Sequence, residues 1–376
     1  MIIKNNKFLA QLTNDYDTYG RLSKEYNIKV SEIVQIDLNR SGVCLHGGEV
    51  KENFRVRFKG NVLDDYETWF ALPVRNAVDT PFYISNGEIY FKDVLIGKAG
   101  KLMLDTCETS YQRGPHLLNL NSRSRSSCGG CRACIHSYGK LYDATVIKDK
   151  DALVTKDDIR TFFQSKNIDV ENLAQIAVVT GLFKGEQNVV EHMKLISEVA
   201  KERGFHGELM YFGCEVNSED ALKELTALGK FSLIYALDNF SKREMLLSKT
   251  KSLITIEDAK RTLELAKSKN IKTTISYIAG IDTIQEMKEG FTYLKESFSA
   301  FPIINVYQTQ TVEQASILSE EARDLKYYLE SRKEIEKIFK DVKYRPKRWE
   351  NYRPLWYKYF DDEELPSNSF GELEKV

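Results

Sequence analysis

Six short apolar runs in series constrain this chain more than any other feature. They are LLNL (117–120), QIAVVT (175–180), ELMYF (208–212), SLIYAL (232–237), TTISYIA (273–279) and IINVY (303–307). A strand wetted on one face alternates apolar and polar residues, whereas unbroken apolar runs suit strands covered on both faces. Each of the last five follows a stretch with helical periodicity, such as VVEHMKLISEVAKERG (189–204) or IEDAKRTLELAKSKN (256–270). Such a series predicts an α/β fold: a parallel sheet curling into a (β/α)6 TIM-like barrel, partial or complete. After the sixth run, EQASILSEEARDLKYYLESRKEIEKIF (313–339) reads as one or two closing helices.

Ahead of Pro115 the pattern differs. From about residue 28 to 115 the period is mostly two, and NFRVRFKG (53–60) alternates as a half-buried strand does. In FYISNGEIYF (82–91), Asn86-Gly87 separates two aromatic-rich runs. That pair tolerates the positive φ of a type I′ turn, so a hairpin is expected there. The chain therefore divides into an N-terminal β-rich module (1–114), the (β/α) barrel (115–340) and a tail (341–376). The tail, KYRPKRWENYRPLWYKYFDDEEL, is aromatic and basic, then acidic, with no regular period. Interleaved aromatics and cations suit an RNA-binding surface or packing over an open barrel rim.

With 42% hydrophobic residues in 376, the chain can bury a full core. A net charge of −1 gives no field toward nucleic acid or an anionic membrane, which argues against a nucleic-acid partner. The opening MIIKNNKFLAQLTNDYD lacks the apolar run of a signal peptide. No stretch approaches the ~20 apolar residues of a membrane span, so a cytoplasmic protein without a membrane partner is expected.

Half of the six cysteines fall in SSCGGCRACIHSYG (126–139), as Cys128, Cys131 and Cys134 in the spacing C-x-x-C-x-x-C. Clustered cysteines in a reducing compartment point to metal more often than to disulfides. In βα barrels chemistry collects in the loops at the C-terminal ends of strands, and this cluster follows the first run by about eight residues. Three thiolates can hold three irons of a [4Fe–4S] cube and leave the fourth iron open to a small ligand. A structural zinc site wants four ligands. Gly129 and Gly130 let the chain turn tightly around a cube. The alternatives are zinc completed by His136 or a distant cysteine, and three cysteines with no metal.

Here the chain resembles the radical SAM superfamily, and within it the biotin-synthase-like barrels, over about residues 115 to 340. The resemblance implies a [4Fe–4S] cluster on Cys128, Cys131 and Cys134, with S-adenosylmethionine (SAM) on the open iron. Reduction, by an external one-electron donor such as flavodoxin or ferredoxin, would cleave SAM to methionine and a 5′-deoxyadenosyl radical that abstracts hydrogen from substrate. TGLFKGE (180–186) resembles the family's Gly-Gly-Glu region, which holds the SAM amino group; Thr180, Gly181, Gly185 and Glu186 match it. LKELTALGKFSLIYALDNF (222–240) is similar to the stretch whose aspartate holds the ribose hydroxyls, and Asp238 falls on it. SYIAGIDT (276–283) resembles the region that packs on adenine and keeps Ile278 and Gly280; FPIINVY (301–307) places Asn305 in the cavity. The departures are one residue missing between the first two cysteines, Ala133 where the family has an aromatic, and Ala236 in place of an asparagine.

Absences narrow the expectation. No cysteine follows Cys214 and none lies in QIAVVTG, so a second cluster for sulfur insertion or an auxiliary-cluster domain is not expected. A single-cluster enzyme acting on a small molecule remains, by rearrangement, C–C bond chemistry, epimerisation or elimination. A peptide or RNA target, or a non-catalytic zinc- or cluster-binding barrel, is the alternative. Taken singly, Asp238 has a plainer role as a helix cap through the N–H of Ser241 or Lys242. Glu215 reads as a solvated loop carboxylate, and His192 and His206 as structural.

Overall fold

The structure is a computed structural model that describes residues 17–45, 54–60, 68–75, 80–104, 110–113, 116–121, 130–134, 153–309, 312–347 and 353–366. It divides into two compact units. One comprises the described residues of Met1–Asp105, Ile278–Thr292 and Ile304–Leu365; the other, those of Thr106–Tyr277, Tyr293–Ile303 and Pro366–Val376.

In the first unit six strands close into a small barrel: β1 (Val43–Leu45), β2 (Phe54–Gly60), β3 (Thr68–Arg75), β4 (Phe82–Ser85), β5 (Glu88–Phe91) and β6 (Val94–Leu104), in the order β1-β3-β2-β6-β5-β4. β1 closes the ring by pairing in parallel with both β3 and β4, while the other pairs are antiparallel. The long strand β6 bends through register shifts against β2 and β5, as barrel closure requires. The expected hairpin is present. Asn86 and Gly87 both have positive φ, 51° and 76°, which is the type I′ geometry.

One expectation fails in this unit. Residues 30–41, inside the segment read as period two, form the helix Val30–Ser41. Every residue from Ser31 to Asn39 is buried, polar Glu32, Gln35, Asp37 and Asn39 among them, so no exposed polar stripe marks the 3.6 period. The aromatic tail is also core. Leu355, Trp356, Tyr357 and Phe360 are buried, and a charged network holds the segment. Arg332, on the helix Leu325–Ile338, pairs with Glu32 and with Glu336 (2.9 Å) and donates to the carbonyls of Leu355 (3.2 Å) and Tyr359 (2.7 Å). Glu32 accepts the backbone N–H groups of Tyr357, Lys358 and Tyr359, and Glu336 accepts Trp356 Nε1–H at 3.1 Å.

The other sheet contains the six anticipated strands. They are β8 (Leu117–Leu120), β9 (Gln175–Val179), β10 (Glu208–Gly213), β11 (Phe231–Asp238), β12 (Lys272–Ala279) and β13 (Ile303–Val306). They run in sequence order, and β7 (Tyr111–Arg113) adds an antiparallel edge beyond β8. The sheet does not close on itself, which selects the partial form of the barrel. Between successive strands lie the helices Lys156–Ser165, Glu186–Lys201, Glu219–Thr226, Ile256–Ser268 and Ile284–Leu294. Ala177, Met210, Ile234 and Ile303 form one apolar layer on the sheet, joined by Val179 and Phe212. The helices start on local chemistry. Thr255 accepts the Asp258 N–H at 3.0 Å while the Asp258 carboxylate accepts the Thr255 N–H at 3.2 Å, and Thr155 and Asp158 repeat this capping box. No helix among the described residues is long and apolar enough to cross a membrane.

Candidate functional site

Of the cysteine loop the structure describes Gly130–Cys134; Cys128, Gly129, His136 and Tyr138 lie outside the described residues. Gly130 takes φ 73°, and the Cys134 N–H donates to the Cys131 carbonyl at 2.8 Å, so the two thiols flank one tight turn. Neither is in a disulfide, and both are half-buried. The turn is fastened to the loop that follows β11. The Arg132 N–H donates to the Leu246 carbonyl at 2.7 Å, and the Ser248 N–H donates to Cys131 Sγ at 3.3 Å. Arg243 braces that loop with four hydrogen bonds, to the carbonyls of Leu237 (2.8 Å), Asn239 (2.7 Å), Lys251 (3.3 Å) and Ile254 (3.2 Å).

Asp238 ends β11 where the pairing with β12 slips, in the left-handed region at φ 71°. Its carboxylate is ion-paired with the buried Lys251 and accepts Ser276 Oγ–H at 3.0 Å. The capping alternative is not realised, since Lys242 heads the short helix Arg243–Leu246 without a side-chain cap. Cys214, just past β10, is buried, which pushes its thiol up to about 12. Burial also raises Cys131, against the opposing pull of the Lys251 ammonium.

The loops after β9 and β10 exchange carboxylates. Glu215, read from sequence as solvated, instead accepts the Phe183 N–H (2.8 Å) on one oxygen and Tyr211 Oη–H (2.6 Å) and its neighbour's Cys214 N–H (2.8 Å) on the other. In return Glu186 Oε2 accepts the N–H groups of Asn217 and Ser218, each at 3.0 Å, ahead of the helix Glu219–Thr226. Burial works against the Glu186 charge, but those N–H groups prevail and hold its pKa below the usual range. Thr180 and Gly181 are half-buried just past β9. A Cβ on Gly185, immediately before the helix Glu186–Lys201, would meet nothing within 4 Å, so the approach to this turn is open.

The structure thus gathers Cys131, Cys134 and Asp238 around one loop, and Thr180, Gly181, Gly185 and Glu186 on the loop after β9. Ile278, Gly280 and Asn305 belong to the other unit. There Gly280, at φ 122°, donates its N–H to Tyr327 Oη at 3.2 Å, and Asn305 Oδ1 accepts the Arg353 N–H at 2.8 Å. Asn305 Oδ1 therefore holds the C-terminal segment. His192 is buried against Phe183, with ring centroids 5.5 Å apart, and His206 is exposed. Sequence reasoning did not single out Arg243, Ser248, Lys251 or Ser276. Lys251 sits in the lysine-rich SKTKS, which reads as an ordinary solvated run. Among the described residues no three His, Cys, Asp or Glu side chains converge as a metal site.

No family model matches the chain, and no curated protein matches it. Among solved structures it is similar to Streptococcus suis SuiB bound to S-adenosylmethionine, with 11% identity, 57% of this chain against 46% of that one, and a TM-score of 0.39. It is also similar to the Escherichia coli coproporphyrinogen III oxidase HemN, a radical SAM enzyme, with 14% identity, 59% against 50%, and a TM-score of 0.36. A third is the radical S-adenosylmethionine methyltransferase TsrM from Kitasatospora setae with cobalamin and a [4Fe-4S] cluster bound, with 12% identity, 51% against 36%, and a TM-score of 0.33. The chain spans half or less of the length of these proteins.

Proposed function

We propose that this protein is a radical SAM enzyme that carries one [4Fe–4S] cluster on Cys128, Cys131 and Cys134 and acts on a small-molecule substrate. One observation carries the reading: the cysteine triplet follows the first of six parallel strands, and its described part is docked on the loop after the fourth. The donor set fits. Two thiols outside any disulfide flank a tight turn, and the Cys131 sulfur already accepts a backbone N–H, as cluster-ligating sulfurs do. When bound, the cluster and SAM together would supply reductive cleavage to a 5′-deoxyadenosyl radical.

The chain's own residues prepare the place. Gly130 permits the turn, and Arg243 and Ser248 fix the wall against which Cys131 rests. Asp238, already desolvated beside Lys251 and Ser276, offers a carboxylate to the ribose hydroxyls. Thr180, Gly181 and Gly185 offer backbone groups to the amino acid end of SAM, and Glu186 and Glu215 hold their loop still. Rigid positioning and exclusion of water matter here, because a primary carbon radical reacts with any hydrogen donor in reach.

The test is anaerobic reconstitution with iron and sulfide, then addition of dithionite and SAM. The expected protein is brown, absorbs near ~400 nm, holds about four irons and releases 5′-deoxyadenosine. Cys131→Ala should lose both iron and SAM cleavage. A protein that binds one zinc and stays colourless would sink the proposal in favour of a structural metal site.

A further inference from the structure

Among the described residues of the second unit Lys251 is the most deeply buried lysine, 8% exposed on the four-residue helix Lys249–Ser252. Its ammonium is paired with Asp238, and its own carbonyl is held by Arg243. Three residues earlier on the same loop, the Ser248 N–H donates to Cys131 Sγ. The loop whose backbone donates to this cysteine therefore also carries the cation that is paired with Asp238. Buried ion pairs contribute little net stability, because desolvation offsets most of the attraction. At a third site the two charges of such a pair oppose each other, but removing the cation leaves the Asp238 carboxylate uncompensated where screening is weak.

We infer that Lys251 is a positioning residue of electrostatic kind, an internal counter-cation that makes a cluster on Cys131 easier to reduce. The inference rests on the proposed cluster. Adding an electron makes an already anionic cluster more negative, so a nearby fixed positive charge stabilises the reduced form and raises the potential. The Ser248 N–H acts on the sulfur in the same sense. Burial disfavours the Lys251 charge, and the ion pair with Asp238 opposes that effect and favours the ammonium form. Asp238 keeps it aimed, and Arg243 keeps the helix in place.

The experiment is an EPR-monitored redox titration of reconstituted protein without SAM, so that the readout does not depend on turnover. Wild type, Lys251→Met, Lys251→Gln and Lys251→Arg are compared, with iron counted in each. Both neutral variants should hold wild-type iron. At a fixed ambient potential their reduced-to-oxidised ratio should fall about tenfold, a midpoint about 59 mV more negative for a one-electron couple. The arginine variant should return toward wild type. Full iron with an unchanged midpoint overturns the inference. So does loss of iron from both neutral variants, which would make Lys251 a residue of the fold alone. A wild-type protein without iron removes the cluster proposal and this inference together, a different result from wild-type iron with insensitive variants.

Discussion

Glu215 shows how one side chain can hold two loops. Its two oxygens take three donors, from Phe183 after β9 and from Tyr211 and Cys214 of the β10 end. Gly213 is what allows this, since a Cβ there would run into Tyr211 Oη and Glu215 Oε2. Glu215→Ala leaves a buried tyrosine hydroxyl and two N–H groups without their acceptor. The expected cost is about 2–3 kcal/mol, read as a lower urea midpoint with unchanged slope. If the loop after β9 also holds SAM, the same variant should weaken SAM binding measured calorimetrically. A wild-type midpoint would mean that water replaces the carboxylate and that the loops are fastened elsewhere. Sequence offers no hint of this role. A glutamate in CEVNS looks solvated because nothing local marks the Phe183 N–H, which comes from 32 residues earlier.

At the scale of elements, the parallel strands are legible because burial on both faces writes itself as an unbroken apolar run, as in QIAVV and SLIYAL. Hairpins are legible for a local reason: Asn86-Gly87 is among the few pairs that accept two positive φ angles. Val30–Ser41 is not legible, because a helix enclosed on all sides loses its polar stripe. The site divides in the same way. The cysteines announce themselves by spacing, but the loop Leu246–Lys251 that receives them has no composition of its own. Helix starts can be tested directly. Thr255 and Asp258 satisfy each other's N–H groups at the head of Ile256–Ser268, whose Ala259, Thr262, Leu263 and Ala266 form its buried face. Thr255→Ala should cost about 1 kcal/mol in thermal or urea unfolding, and Thr255→Ser should cost much less. Equal losses in the two variants would show that the methyl group, and not the hydroxyl, carries the contribution.

Across the whole molecule, the barrel-bearing unit is assembled from opposite ends of the chain. Glu32 near the start takes three N–H groups of Tyr357–Tyr359 near the end, and Arg332 joins Glu32 to Glu336 beneath Trp356. Removing only the cation takes the ion-pair partner from buried Glu32 and leaves Glu336 with Lys333 alone, so Arg332→Met should destabilise by about 3–5 kcal/mol although it conserves volume. The network also fixes an acid limit. Burial raises the Glu336 pKa, but Arg332 and Lys333 outweigh it and bring it below the usual carboxylate value. A group depressed in the folded state binds its proton more readily when unfolded. Its contribution is therefore complete above the unfolded pKa and disappears as pH falls through the folded one. Urea midpoints followed from about pH 6 to about pH 3 should fall steeply in wild type. Glu336→Gln should start lower at pH 6 and decline less, so that the two curves converge in acid. Parallel curves would assign the acid sensitivity to other carboxylates. In that case the latch between the two ends of the chain would be held by the backbone donors on Glu32 and the burial of Trp356, with little contribution from the charge on Glu336.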